Sequence, residues 1–184
     1  GLRRQRSPVR RITRFDSSPW RSRIGAEIDD FEAADHMEAK TAKRLDRFGQ
    51  FALASSRLAI ADARLDEASL DGDRVAVQMG SALGGVAYAE QQVINLLRDG
   101  IRGVDPRVAL TTFGGAASCI VAIECGFRGP NSTNAMSCAS GSVAIGEAWR
   151  LIRDGYADVA IAGGAEAPLS SLSFGAFALI RAMS

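Results

Sequence analysis

Two short apolar segments, each followed by glycine and separated by helical patterns, constrain the fold of this chain more than any other feature. Arg74–Met79 is rich in valine and precedes one glycine, and Asp158–Ala162 precedes a glycine pair. Continuous apolar runs of this length predict strands buried on both faces. A third strand of modest propensity is predicted over Asn131–Ser137. Strands that alternate with helices predict a mostly parallel, layered α/β fold.

Apolar residues at helical spacing fill the intervals between the predicted strands. In the interval after Cys138, an apolar residue recurs near every turn and marks one helical face, at Ile145, Trp149, Ile152 and Tyr156. Glycine follows several of these segments, as is common at helix ends. The predicted helices are Leu45–Leu65, Val86–Arg98 closed by Gly100, Thr112–Cys125 closed by Gly126, and one that begins just after Cys138.

Composition excludes several classes of protein. The formal net charge is only +1, so no global field favours nucleic acid, and no stretch approaches the roughly 20 nearly uninterrupted apolar residues of a membrane span. The three cysteines show no CxxC spacing and His36 is the single histidine, so neither a disulfide framework nor a metal site is predicted. Three reduced thiols in a cytoplasmic protein fit these cysteines better than disulfides or a metal site. No cofactor is predicted.

The two ends of the chain have features of their own. Arginines cluster between Gly1 and Arg23 in a basic head that could bind phosphate or an acidic partner, although a solvated, poorly ordered end is the favoured interpretation. The chain starts with Gly1 instead of methionine and stops at Ser184, directly after the apolar run Phe174–Met183. We therefore expect both ends to be cut from a longer protein.

Cys138 is the strongest candidate for a chemical role. It falls between a predicted strand and the first turn of a helix, where unsatisfied N–H groups favour negative charge and therefore a thiolate. The same groups can hold the oxyanion that forms when a thioester is attacked. The alternative is a buried, inert thiol, which is the structural role we assign to Cys119 and Cys125 inside a predicted apolar helix.

Several motifs, in order along the chain, resemble the condensing enzymes of fatty-acid and polyketide synthesis, the β-ketoacyl-acyl carrier protein synthases. The longest is GPNSTNAMSCASGSVAIGEAWRLIRDGYADVAIAGGAEA, which contains Cys138. Linked motifs are far more specific than any one alone. The others are ITRFD (Ile12–Asp16), LDRFGQFALA (Leu45–Ala54), VAVQMGSALGG (Val75–Gly85) and FGAFALIRAMS (Phe174–Ser184).

The resemblance implies a thiolase-like, layered αβαβα fold, of which this chain would be the N-terminal half, without the first strand and the C-terminal half. It implies a homodimer that transfers an acyl group from acyl carrier protein to Cys138 and condenses it with malonyl-acyl carrier protein after decarboxylation. The family needs two histidines that lie C-terminal to this region, whereas His36 matches no catalytic motif and is interpreted as a surface residue. Residues 1–184 are thus one partial domain that we do not expect to catalyse the full condensation.

Two further sites follow from the resemblance. Phe113 stands where relatives line or gate the acyl pocket, so a preference for shorter or differently shaped acyl chains is expected; the alternative is an ordinary core residue. Lys40, Lys43 and Arg44 can share one helical face and match basic residues that dock the acidic carrier protein. The alternative for this basic cluster is a solvated charged face.

Two other motifs receive structural interpretations. Gly80–Gly85 (GSALGG) lacks both GxGxxG and GK[ST], so close helix–strand packing accounts for it better than phosphate binding. Glu166 could be a general base, but a carboxylate after a buried strand more often satisfies backbone donors. The chain departs from the family at Met136-Ser137, where relatives favour Thr-Ala.

Two rival functions remain open. A thiolase-type acyltransferase that uses coenzyme A would share the cysteine helix, although GPNST and the basic cluster favour a synthase. A non-catalytic partner subunit that determines chain length would generally lack the nucleophilic cysteine.

Overall fold

The computed structural model describes residues 7–183, which divide into two compact units. Residues 7–32 and 168–183 belong to the first unit, and residues 33–167 form the second. Among residues 7–183, no helix combines the length and the apolar content that crossing a bilayer requires. In chain order the strands and helices are β1 (Val9–Arg11), β2 (Ile24–Ala26), α1 (Ala39–Ala42), α2 (Arg47–Asp62), β3 (Val75–Gly80), α3 (Val86–Asp99), α4 (Val108–Thr111), α5 (Ala116–Cys125), β4 (Asn131–Asn134), α6 (Ser140–Arg153), β5 (Val159–Gly164) and α7 (Ser171–Leu179).

The first unit contains an antiparallel strand pair and a cluster of aromatic rings. β1 pairs with β2, with Val9 opposite Ala26. The rings of Phe15, Trp20 and Phe174 meet at centroid distances between 5.5 and 6.0 Å. The sequence pattern does not predict this strand pair, because strands of three residues are too short to show an alternation.

Acidic side chains of the first unit partner two arginines of the basic head. The buried Glu27 carboxylate lies 3.7 Å from Arg10 and 4.0 Å from Arg14, and both arginines also pair with Asp29. The backbone N–H groups of Thr13 and Arg14 donate to Glu27 as well. These two arginines therefore serve the unit's own structure, while residues 1–6 of the head lie outside the described residues.

The second unit is built on a three-stranded parallel sheet in the order β4-β3-β5. Val77 of β3 lies opposite Asn131 of β4, and Val75 lies opposite Val159 of β5. The Arg74 guanidinium joins the beginnings of β3 and β5 through Asp158, at 2.6 Å. The predicted mostly parallel α/β arrangement is confirmed in this unit.

The central strand β3 explains how the layers form. Successive side chains of a strand point to opposite faces. Val77 and its alternate neighbours enter the main apolar core with Phe48 of α2 and Val121 of α5, while Gly80 faces the start of α6. All six residues of β3 are buried, because helices cover both faces of the strand. The prediction of burial on both faces is wrong for β5, which lies at the edge of the described sheet and in which Ile161 alone is buried.

One predicted helix is wrong in its first turn. Instead of a single helix over Thr112–Cys125, the chain forms the short α4, a turn through residues 112–115, and then α5. Gly114 and Gly115 weaken helical structure there, and the Thr112 carbonyl accepts the N–H of Gly85. The predicted end is correct, since Gly126 closes α5 in a left-handed conformation.

Two other predicted boundaries also differ. The side chain of Asp46 accepts the N–H of Gly49 and caps α2, which therefore begins at Arg47 and not at Leu45. β4 ends at Asn134, three residues earlier than predicted, because the chain turns there toward Cys138.

α6 shows a difference between the predicted apolar face and the face that packs on the sheet. Its buried residues are small, namely Ser140, Ala144 and Ala148. The apolar stripe identified from spacing is exposed among the described residues, with Trp149 at 58% and Ile145 at 58%. Small side chains allow the helix to lie close against the strands, which is why they occupy the sheet-facing side.

Candidate functional site

The carboxyl ends of the three parallel strands meet at one edge of the sheet, and three chain segments follow them there. The glycine loop (Gly80–Gly85) follows β3, the Cys138 turn (Ala135–Ala139) follows β4, and Glu166 follows β5. In open parallel sheets, this edge is where ligands usually bind. The fold therefore brings together segments that are far apart in the sequence.

Cys138 lies in an exposed turn at the start of α6. It belongs to a short 3₁₀ turn, Ser137–Ala139, that leads directly into the helix. The Cys138 side chain is exposed, and Ala139, the residue at the N-cap of α6, makes no side-chain hydrogen bond to the first turn. The N–H groups of a helix's first turn lack intrahelical acceptors, so this end of α6 favours a nearby negative charge.

Close approach of backbone to backbone sets the position of this helix start. A Cβ built on Gly80 would lie 2.7 Å from the Gly141 nitrogen and closer still to the Ser140 carbonyl group. A Cβ on Gly164 would lie 3.1 Å from the Cα of Gly141. Glycine at both strand ends therefore lets α6 begin directly above β3 and β5, which supports the packing interpretation of the glycine loop.

Glu166 holds the glycine loop. Its carboxylate accepts hydrogen bonds from the Ala82 N–H at 2.6 Å, the Leu83 N–H at 3.3 Å and the Ser81 hydroxyl at 3.0 Å. The Ser81 hydroxyl oxygen in turn accepts the N–H of Gly84 at 3.0 Å. These contacts satisfy backbone donors of the loop, which is the structural role expected for Glu166 from the sequence.

Phe113 lies in the turn between α4 and α5, beside the glycine loop. The Gly85 N–H donates to the carbonyl of Thr112 at 3.2 Å, and Gly84 packs against Gly114. The Phe113 side chain is 48% exposed, and its ring lies over Gly115. The glycine loop thus connects the Phe113 turn at its far end with the start of the Cys138 helix at Gly80.

The basic cluster lies near the end of the glycine loop at Gly85, which also contacts Thr111 and Thr112. Lys40, Lys43 and Arg44 are exposed, but α1 ends at Ala42, so Lys43 and Arg44 lie in the following turn and not on one continuous helical face. Lys43, Arg44 and Arg107 line a cleft of about 220 Å³.

The cap of α2 connects this cluster to the glycine loop. The Asp46 carboxylate packs against Gly85, and burial raises the pKa of Asp46 although the Gly49 N–H donates to it. A side chain at Gly85 would meet this carboxylate, so the glycine again permits a close approach.

The remaining thiols and the histidine have different surroundings. Burial, reinforced by the charge of Glu67, raises the pKa of the Cys125 thiol to about 11, so this thiol stays protonated near neutral pH. Cys119 is exposed on α5, so the buried position expected for it from the sequence is wrong. His36 is half-buried, not exposed as predicted, and its carbonyl accepts a hydrogen bond from Arg57. Within residues 7–183 no group of His, Cys, Asp and Glu side chains could hold a metal ion.

A parallel sheet that presents an exposed cysteine at a strand-to-helix turn is the arrangement expected of a thiolase-like α/β protein. The profile of the family described as "Beta-ketoacyl synthase, N-terminal domain" matches residues 1–184, and the chain belongs to this family.

Curated relatives support the same assignment. The chain is 41% identical over 184 residues to 3-oxoacyl-[acyl-carrier-protein] synthase 2 of Synechocystis sp., and 36% identical over 176 residues to the protein of the same name from Staphylococcus aureus. The matches cover 100% and 96% of this chain but 44% of each relative. The chain therefore spans less than half the length of these relatives.

Solved ketosynthase structures share the fold. The ishigamide ketosynthase/chain length factor superposes with a TM-score of 0.91 at 30% identity, over 100% of this chain and 46% of that one. A type II PKS acyl-carrier protein in complex with its ketosynthase gives 0.76 at 28% identity, over 83% of this chain and 43% of that one. The thiolase-like α/β fold predicted from the sequence is confirmed.

Proposed function

We propose that the protein containing this chain is a β-ketoacyl-acyl carrier protein synthase and that Cys138 is its acyl-accepting nucleophile. The observation that carries the proposal is the exposed Cys138 thiol at the uncapped start of α6, at the carboxyl edge of a parallel sheet. The family assignment supports this reaction class, and the curated relatives are named as synthases that act with acyl carrier protein.

The first half-reaction is acyl transfer. The Cys138 thiolate attacks the carbonyl carbon of an acyl thioester, and the negative charge on the oxygen is held by N–H groups at the start of α6. Collapse of this intermediate releases the carrier thiolate, which takes up a proton, and leaves the acyl group on Cys138.

The second half-reaction is condensation. Malonyl-acyl carrier protein loses carbon dioxide, and the resulting carbanion attacks the acyl carbonyl and displaces the Cys138 thiolate. This decarboxylation uses two histidines in the family, and His36 matches neither motif. We therefore propose that condensation depends on residues outside this chain and that the chain alone is inactive in it.

Peptide mass spectrometry tests the proposal. The full-length protein is incubated with acyl-acyl carrier protein and digested, and the acyl mass is expected on the peptide with Cys138. The exposed Cys119 and the half-buried Cys125 serve as internal controls. The proposal loses its basis if the acyl mass appears on the peptide with Cys119 or Cys125. It also loses its basis if none of the three cysteine peptides carries the acyl mass.

The basic cluster is proposed as the docking surface for the carrier protein. Reversing two charges with Lys43→Glu and Arg44→Glu should raise the KM for carrier-protein substrates about tenfold at low salt, because complementary charge speeds encounter and salt screens it. The matched control is Arg98→Glu with Arg102→Glu, which changes the net charge equally at other exposed positions. An unchanged KM at low ionic strength counts against docking here.

Phe113 is proposed to narrow the acyl pocket. Phe113→Ile should shift the preference toward longer acyl donors by about tenfold in kcat/KM, since one or two methylenes in a pocket change specificity by this order. Leu110→Ile on the exposed side of α4 is the control. The proposed role of Phe113 is rejected if the ratio of kcat/KM for long and short acyl donors is the same in Phe113→Ile, Leu110→Ile and the unmodified protein.

The assembly and location of the protein are further parts of the proposal. β4 is an edge strand of the described sheet, and a homodimer that covers this edge is proposed, which sedimentation of the full-length protein would test. The three unpaired cysteines favour a cytoplasmic location.

The rival functions differ in measurable ways. A coenzyme A-dependent thiolase-type enzyme would acylate Cys138 faster from acyl-coenzyme A than from the carrier protein. A non-catalytic chain-length partner would not be acylated at all. The presence of an exposed cysteine at position 138 favours the synthase over this second rival.

A further inference from the structure

We propose that Asn134 is a positioning residue that holds the Cys138 turn in its reactive geometry. One of the two tests below measures the acylation of Cys138, and that test rests on the proposed role of Cys138 as nucleophile. The inference itself concerns the geometry of the turn, which can be probed with a simple alkylating reagent.

The Asn134 side chain bridges the two sides of the turn. Its Oδ1 accepts the N–H of Met136 at 3.2 Å, and its Nδ2 donates to the carbonyl of Ser140 at 3.0 Å. Nδ2 also approaches the carbonyl of Met79 at the end of β3, at 3.4 Å. One amide group therefore ties together the residue two before Cys138, the residue two after it and the neighbouring strand.

The turn needs such a connection because little else holds it. Residues 135–139 are all exposed, so packing contributes little to their position. Ser137, directly before Cys138, has a φ of 52°, a left-handed conformation that is unfavourable for a residue with a side chain. The N-cap residue of α6, Ala139, forms no capping hydrogen bond with its side chain. The hydrogen bonds of Asn134 offset this strain and fix the entry into the helix.

Asn131 provides a matched comparison on the same strand. Its Nδ2 donates to the carbonyl of Ser118 in α5 at 3.3 Å, away from the Cys138 turn. A substitution at Asn131 therefore removes one amide hydrogen bond from β4 without touching the turn. If Asn134 contributed only to stability, substitutions at Asn134 and Asn131 would have the same effect on the reactivity of Cys138.

The experiment compares Asn134→Leu with Asn131→Leu in the full-length protein. Asn134→Leu is expected to slow alkylation of Cys138 by iodoacetamide about tenfold relative to Cys119 in the same molecule, because a displaced turn takes the attacking thiolate away from the N–H groups at the start of α6 that favour its negative charge. The single-turnover rate of acylation at saturating acyl-acyl carrier protein should fall by a similar factor, with the half-saturating concentration unchanged. Asn131→Leu should change neither ratio.

A second variant keeps the test valid if Asn134→Leu does not fold. Asn134→Asp retains the acceptor for Met136 but cannot donate to Ser140, so its rates should lie between those of Asn134→Leu and the unmodified protein. Unchanged alkylation and acylation in a folded Asn134 variant would overturn the inference. If the unmodified protein forms no thioester at Cys138, the proposed function fails, while the alkylation ratios still decide the role of Asn134.

Discussion

Acyl transfer is expected to fall by at least about 1000-fold when Cys138 is replaced by alanine, because the covalent intermediate has no atom on which to form. The measurement is the initial rate of loss of acyl-acyl carrier protein in the full-length protein. Binding of the carrier protein should be retained, since the basic cluster at Lys43 and Arg44 remains unchanged. The substitution therefore separates chemistry from docking.

The control for this substitution is Cys119→Ala. Cys119 is also an exposed thiol, but it lies on α5 and not at a strand-to-helix turn. The Cys119→Ala variant should retain the acyl-transfer rate of the unmodified protein. Comparable rates for Cys138→Ala and Cys119→Ala would mean that the acyl group is carried elsewhere.

Gly80→Ala is expected to destabilise the full-length protein by about 2–3 kcal/mol, in the range of overpacked core substitutions. The added methyl would overlap the backbone of Ser140 and lie 2.7 Å from the Gly141 nitrogen. Backbone atoms in a helix start cannot move aside as a flexible side chain can, so α6 must shift away from β3. The midpoint of urea unfolding measures the loss of stability, and acyl transfer should fall with the displacement of Cys138.

Gly146→Ala provides a control of opposite sign. Gly146 lies inside α6, and a Cβ built there meets no atom of the other described residues within 4 Å, the adjoining helix backbone aside. Alanine should stabilise the helix by about 0.5–1 kcal/mol, because glycine loses more backbone freedom on folding. Similar unfolding midpoints for the two variants would contradict the close-packed arrangement at Gly80.

Local patterns in the sequence predicted the main elements of the second unit. The apolar runs that became β3 and β5 and the turn that carries Cys138 were all recognisable, because short apolar runs closed by glycine and helix ends leave short-range signals. The same signals wrongly predicted that a helix begins at Thr112. The Thr112 carbonyl accepts a hydrogen bond from the N–H of Gly85 in the glycine loop, whereas in a longer helix it would accept one from the helix itself.

The sequence by itself determined the parallel α/β class, the family and the placement of one cysteine between a strand and a helix. These properties depend on residues close together in the chain, where spacing reports burial and turns directly. The tertiary structure alone decided that the Phe113 turn, the basic cluster and the Cys138 helix meet around one glycine loop, and that Asn134 bridges the Cys138 turn. The contacts around the glycine loop, and the approach of Asn134 to Met79, depend on how distant segments approach one another, and no local pattern of residues records them. The bonds of Asn134 to Met136 and Ser140 join residues that are close in the chain, but they depend on side-chain placement, which residue spacing does not report.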